Sequence, residues 1–146
     1  MSKLMQLIQR HLYFLLLLLL LTACGSKSTK DELSKELTSV KSWAATAHFV
    51  GDAWIRKAVP TSYVKQTLIK TQEELKTETE TLSKLSIPTA NRSAIFKSLQ
   101  QLQDTVSQMS KAVEKKNYQA VAQQIQQLSH QEQAIAKLSL TAGEQL

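Results

Sequence analysis

Side chains able to do chemistry are few in this chain, and the first of them is Cys24, the single cysteine among 146 residues. It stands directly behind Leu12 to Leu21, an unbroken apolar run that follows the basic residues Lys3 and Arg10. A thiol without a second cysteine closes no internal disulfide, which leaves pairing between chains or consumption by a modification such as acylation. His48 and Asp52 lie one helical turn apart and offer an imidazole and a carboxylate, the best metal hint in the sequence. A di-iron site in a helical bundle wants Glu three residues before His on two helices. Those positions before His48 and His130 hold Ala45 and Gln127, and His130 projects to the far, solvated side of its helix. Glu78 and Glu132, on or beside apolar seams, are a carboxylate pair only if the two seams meet at one level. No Gly-x-Ser-x-Gly elbow, glycine-rich phosphate loop or cysteine pair occurs. The expectation is a protein that is not an enzyme and holds no cofactor and no metal.

The apolar run has about half the roughly twenty residues of a membrane-spanning helix. A basic start, a short apolar core and a small residue at its end, Ala23, are the layout of an export signal. Leu21-Thr22-Ala23-Cys24 resembles the lipobox of bacterial lipoproteins. That resemblance implies diacylation of the Cys24 sulfur and cleavage before it, so that Cys24 becomes the first residue and the lipid anchor. Two or three acyl chains hold a protein stably where one is marginal. Gly25 stands where an Asp retains lipoproteins at the inner membrane of diderm bacteria, which points to the outer membrane facing the periplasm, or to the outer face of a plasma membrane. The organisation expected is a signal peptide over residues 1–23, a lipidated Cys and short tether over 24–30, and one domain over 31–146.

Four long segments must carry whatever the domain presents. Beyond residue 24 there are three glycines and two prolines, too few for a turn-rich β architecture. In the first segment, about Thr29 to Lys57, Leu33, Leu37, Val40, Ala44, Ala47, Gly51 and Trp54 alternate four and three apart, a helical stripe. A capping box of Ser28 with Asp31, or Thr29 with Glu32, opens it. Trp43 and Trp54 read as core and Phe49 as exposed. The small Ala44, Ala47 and Gly51 leave room for a neighbouring helix or a large side chain. Pro60 and Thr61 open the second segment, with Val64, Leu68, Leu75, Leu82 and Leu85, and Pro88 stops it. Thr71 and Glu78 weaken its seam. The third has the cleanest heptad, Ile95, Leu99, Leu102, Val106, Met109 and Val113, with Gln103 read as a solvated neighbour. Asn117 turns the chain and caps the fourth segment, whose stripe is Tyr118, Val121, Ile125, Leu128, Glu132 and Ile135. Long helices on short turns fold back on their neighbours, so the fold expected is all-α, an up-and-down antiparallel four-helix bundle behind a cleaved lipoprotein signal peptide.

The formal charge is +6, and basic and acidic residues are interspersed rather than gathered into a nucleic-acid stripe. Folding back nevertheless brings two turns to the end distant from Cys24. Arg56, Lys57, Tyr63, Lys115, Lys116 and Tyr118 fall there and form the candidate partner-binding patch. The expectation is a membrane-anchored, non-enzymatic helical lipoprotein that serves as an interaction or accessory module of a bacterial envelope or thylakoid lumen. Its partner would be an envelope protein or an acidic polymer, not a nucleic acid. Lumenal photosystem II accessory lipoproteins of cyanobacteria are similar in size, architecture and address, without a shared motif here. The alternative is a bundle that takes a small ligand or metal in the space beside Ala44, Ala47 and Gly51.

Overall fold

The computed structural model describes residues 29–144. The expectations placed on Leu21 to Cys24, the tether up to Ser28 and a Ser28 cap lie outside the described residues. Four helices follow one another: α1 (Thr29–Ile55), α2 (Thr61–Ser83), α3 (Thr89–Glu114) and α4 (Tyr118–Glu144). No strand occurs among the described residues. α1 packs on α2 and α4, and α3 packs on the same two helices, so the chain runs around a closed ring with α1 and α3 touching slightly across the middle. This is the antiparallel up-and-down bundle expected from the four stripes. No described helix is long and apolar enough to cross a membrane.

The stripes are the core. Leu33, Leu37, Val40, Ala44, Ala47 and Trp54 from α1 meet Val64, Leu68, Leu75 and Leu82 from α2, the full heptad of α3, and Val121, Leu128 and Ile135 from α4. Burial of these side chains drives folding, because each large aliphatic residue removed from water contributes roughly 1.5–3 kcal/mol. Trp43 departs from expectation: it is half-buried, packed on the flank of the core while Trp54 lies inside it. One residue before Ala44 on a helix is 100° off the seam, too far for a large ring to enter fully. Tyr118 leaves the stripe as well and is 44 % exposed.

Both prolines act at helix starts, which corrects the reading of Pro88 as the stop of the second segment: α2 already ends at Ser83. Pro60 and Pro88 are the residues immediately before α2 and α3, where a missing N–H costs no helical bond. On the middle of α2, Thr71 is fully buried and returns its hydroxyl to the Thr67 carbonyl at 2.9 Å. That back-bond satisfies the group in an apolar seam.

Gln103 corrects the reading of a solvated neighbour. It is half-buried, and its Nε2 donates to Thr79 Oγ1 at 2.8 Å and to the Leu75 carbonyl at 3.2 Å. Thr79 already donates to that same carbonyl. The arrangement recurs one helix later, where Gln131 Nε2 donates to Thr105 Oγ1 and to the Gln101 carbonyl, itself bonded by Thr105. Two Gln–Thr–carbonyl stitches therefore bind α2 to α3 and α3 to α4.

Candidate contact surface at the two-turn end

The turns after α1 and α3 come to the same end of the bundle and close in the same way. Ala58 N–H donates to Ala53 O at 2.8 Å and Lys57 N–H to Trp54 O at 2.9 Å; Asn117 N–H donates to Ala112 O at 2.9 Å and Lys116 N–H to Val113 O at 3.0 Å. Each pair is a Schellman motif, which needs one left-handed residue just past the helix. Lys57 fills that place with φ 58° and Lys116 with φ 52°. An L-residue there costs roughly 1–2 kcal/mol relative to the right-handed region, which is why glycine usually stands in this position. Asn117, expected to turn the chain and cap the next helix, supplies the cap, its Oδ1 accepting the Ala120 N–H at 3.0 Å, while the left-handed turn residue is Lys116.

Trp54 ties this end together. Its ring stacks on Tyr118 with centroids 4.3 Å apart and planes 15° from parallel, and its Nε1 donates to Thr61 Oγ1 at 3.0 Å. One indole thus joins the end of α1 to the starts of α2 and α4. Tyr118 gives one face to the stack while remaining partly open, and Tyr63, in the first turn of α2, is 53 % exposed. Arg56 is committed to Asp52, Nη2 to Oδ2 2.8 Å, and Lys65 reaches Glu114 at 3.3 Å across α2 and α3. Lys57, Lys115 and Lys116 are exposed and make no ion pair among the described residues. All six residues of the expected patch therefore lie at or beside the two turns.

The other candidates do not assemble. Asp52 is held by Arg56, and His48 faces α4 instead, with Nδ1 3.0 Å from Glu132 Oε1. Glu132 and Glu78 sit on different seams, the first against α1 from α4 and the second against α1 from α2, so they form no carboxylate pair. Ser39 Oγ donates to Glu78, and Glu36 is its other neighbour. His130 is exposed in an open groove of about 380 Å3 between α3 and α4, beside Gln101, Asp104, Gln108 and Gln127. No group of three or more His, Cys, Asp or Glu side chains gathers among the described residues. The room beside Gly51 is filled from within: a Cβ there would stand 3.0 Å from Met109 Sδ and 3.3 Å from Ile125 Cγ1.

Burial, and then the hydrogen bond and charge of Glu36, push the Glu78 carboxyl above its ordinary range, against the opposing bond from Ser39. A raised folded-state value means that the folded chain holds this proton more tightly than the unfolded one. The associated stability is present at acid pH and is lost as pH rises from about 4.3 through the raised value. Glu78→Gln removes this loss and keeps the hydrogen-bonding shape. The difference in melting temperature, variant minus wild type, should grow more positive between pH 4 and pH 7; a constant or shrinking difference would contradict the assignment.

Arg92 carried no signal in the sequence. It donates to the Ser83 carbonyl at 3.1 Å and the Leu85 carbonyl at 3.3 Å, closing the end of α2, and lies 5.1 Å from the Phe96 ring centre. Comparison of the chain with protein-family models, curated proteins and solved structures returns no match.

Proposed function

We propose that the protein is a lipid-anchored, non-enzymatic helical module of a bacterial envelope, held to its membrane through Cys24 and meeting its partner with the opposite end of the bundle. The observation that carries the reading is Leu21-Thr22-Ala23-Cys24 closing a short apolar run in a chain with no second thiol. Geometry is consistent with it. α1 begins at Thr29, two residues before the expected domain start, so four residues separate Cys24 from the helix. At most roughly 18 Å of extended chain spans that gap, which keeps the near end of the bundle at the lipid surface. With the bundle upright on this tether, a helix of 27 residues sets the two-turn end roughly 40 Å further out.

The partner belongs to the envelope, as a protein or an acidic polymer, and the exposed lysines with Tyr63 and Tyr118 are the surface offered to it. Cys24→Ser tests the anchor. Wild-type protein should take up fatty-acid label, begin at Cys24 and partition with membranes, and the variant should lose both label and membrane partition. Label retained by the variant, or a mature wild-type N-terminus elsewhere, would remove the basis of the proposal.

A further inference from the structure

Charge is not evenly shared along the bundle. Within the half of each helix next to the two turns, with those turns, seven basic residues face three acidic ones, leaving +4; the other half of the described residues holds eight basic and nine acidic, leaving −1. From Tyr118 to Gln131, α4 has no Lys, Arg, Asp or Glu at all, which confines the excess to the turns and to α2 and α3 beside them. At the apex, three lysines lack an acidic partner among the described residues. Two of these, Lys57 and Lys116, occupy the left-handed positions that glycine would fill with less strain. In both turns the left-handed place that closes the helix is thus held by a lysine with no ion-pair partner among the described residues.

We infer that this end binds a linear polyanion, a chain bearing phosphate or carboxylate groups in the aqueous layer beyond the membrane. The inference rests on the reading given under Proposed function for which end faces away from the lipid. Charge complementarity selects the class of ligand, and the exposed side chains select the kind. At the apex the cations are exposed, and the large exposed side chains are the tyrosines Tyr63 and Tyr118 rather than a desolvated apolar cluster. The apex therefore lacks the apolar core around which a standard protein interface is built. A flexible polymer needs no matching concavity, and it supplies condensed counterions whose release favours binding to lysines. With the bundle upright, the headgroups of the anchoring membrane are out of reach, since roughly 40 Å is several Debye lengths of about 8 Å at physiological salt. Tyr63 and the open side of Tyr118 add flat surfaces on which a polymer backbone can rest.

Full-length protein extracted in neutral detergent is titrated with long-chain inorganic polyphosphate and, separately, with polyglutamate; neutral dextran is the control. Binding to either polyanion and not to dextran is expected, weakening as salt rises. Lys57→Gln/Lys115→Gln/Lys116→Gln should raise Kd at least tenfold and reduce the slope of log Kd against log salt by about 2, at about 0.7 for each contact on a flexible strand. Lys30→Gln/Lys84→Gln/Lys137→Gln, at the opposite end, should leave Kd within twofold. Lys57→Gly/Lys116→Gly should raise the melting temperature while weakening binding, because the strain goes and the charges go with it. Absence of polyanion binding, equal loss in both triple variants, or a lower melting temperature for the glycine variant would overturn the assignment. So would binding to phosphatidylglycerol vesicles without binding to either polymer. Protein recovered from the soluble fraction of cells would sink the anchor instead, and the titration would still report on the lysines.

Discussion

Trp54→Ala is expected to destabilise the bundle by roughly 3–5 kcal/mol, the range for removing a large buried aromatic side chain. Trp54 is 3 % exposed, and three consequences follow from its loss. The apolar volume between the ends of α1, α2 and α4 empties. Thr61 Oγ1 loses its indole donor, and Tyr118 loses the ring on which it stacks, a contact contributing about 0.5–1.5 kcal/mol beyond area. Trp54→Phe separates these terms. A phenyl ring refills most of the space and can still stack, so the residual cost should be about 1–2 kcal/mol, for the hydrogen bond and the missing atoms. Urea unfolding of the two variants measures both. Equal costs for Ala and Phe would mean that a phenyl ring recovers neither the buried volume nor the stack, and a cost below about 1 kcal/mol for Ala would contradict the burial of Trp54. Because the indole positions the start of α4, the alanine variant should also weaken polyanion binding, whereas the phenylalanine variant should retain most of it.

Helix periodicity made most of the architecture legible, and the reason is visible in α3. Ile95, Leu99, Leu102, Val106, Met109 and Val113 all lie at the core, because an apolar stripe on a long helix has only the other stripes to bury itself against. Pro60 marked a helix start through its missing N–H, whereas Pro88, read as the stop of the second segment, stands at the start of α3, and α2 ends earlier, at Ser83. What could not be read depends on how one helix stands against another. His48 meets Glu132 across 84 positions of sequence, a contact that only the register of α1 against α4 decides, while Asp52 pairs locally with Arg56 one turn further along the chain. Gln103 and Gln131 look like solvated polar residues until a neighbouring Thr and its carbonyl come within reach. The left-handed lysines were hidden differently. A Schellman turn is recognised in sequence by glycine, and Lys57 and Lys116 stand where that signal would have been. The six residues of the candidate patch were placed at one end by counting helix lengths, while their strain and the opposite commitments of Arg56 and Lys57 emerged only from the folded turns.

The seam of α3 supplies the other large effect. Leu102 is fully buried at its middle, so Leu102→Ala should cost on the order of 2–5 kcal/mol, combining the lost transfer free energy with the cavity left between the helices. The neighbouring residues grade that result. Gln103→Ala is not silent, because it removes two bonds to α2 and leaves Thr79 Oγ1 without its donor, although the Leu75 carbonyl keeps the bond from Thr79; about 1–2 kcal/mol is expected. Asp104, exposed on the next position, should change stability by no more than about 0.5 kcal/mol when replaced by Ala. Three consecutive residues on one helix thus yield a descending series set by direction alone, into the core, onto the α2 flank, and out to water. Urea unfolding with a shared m-value measures it, since none of the changes alters the surface exposed on unfolding by much. If Leu102→Ala and Asp104→Ala unfold at the same midpoint, α3 is rotated from the face described. If Gln103→Ala matches Asp104→Ala while Leu102→Ala remains costly, the seam stands and the Gln–Thr–carbonyl stitch carries no stability.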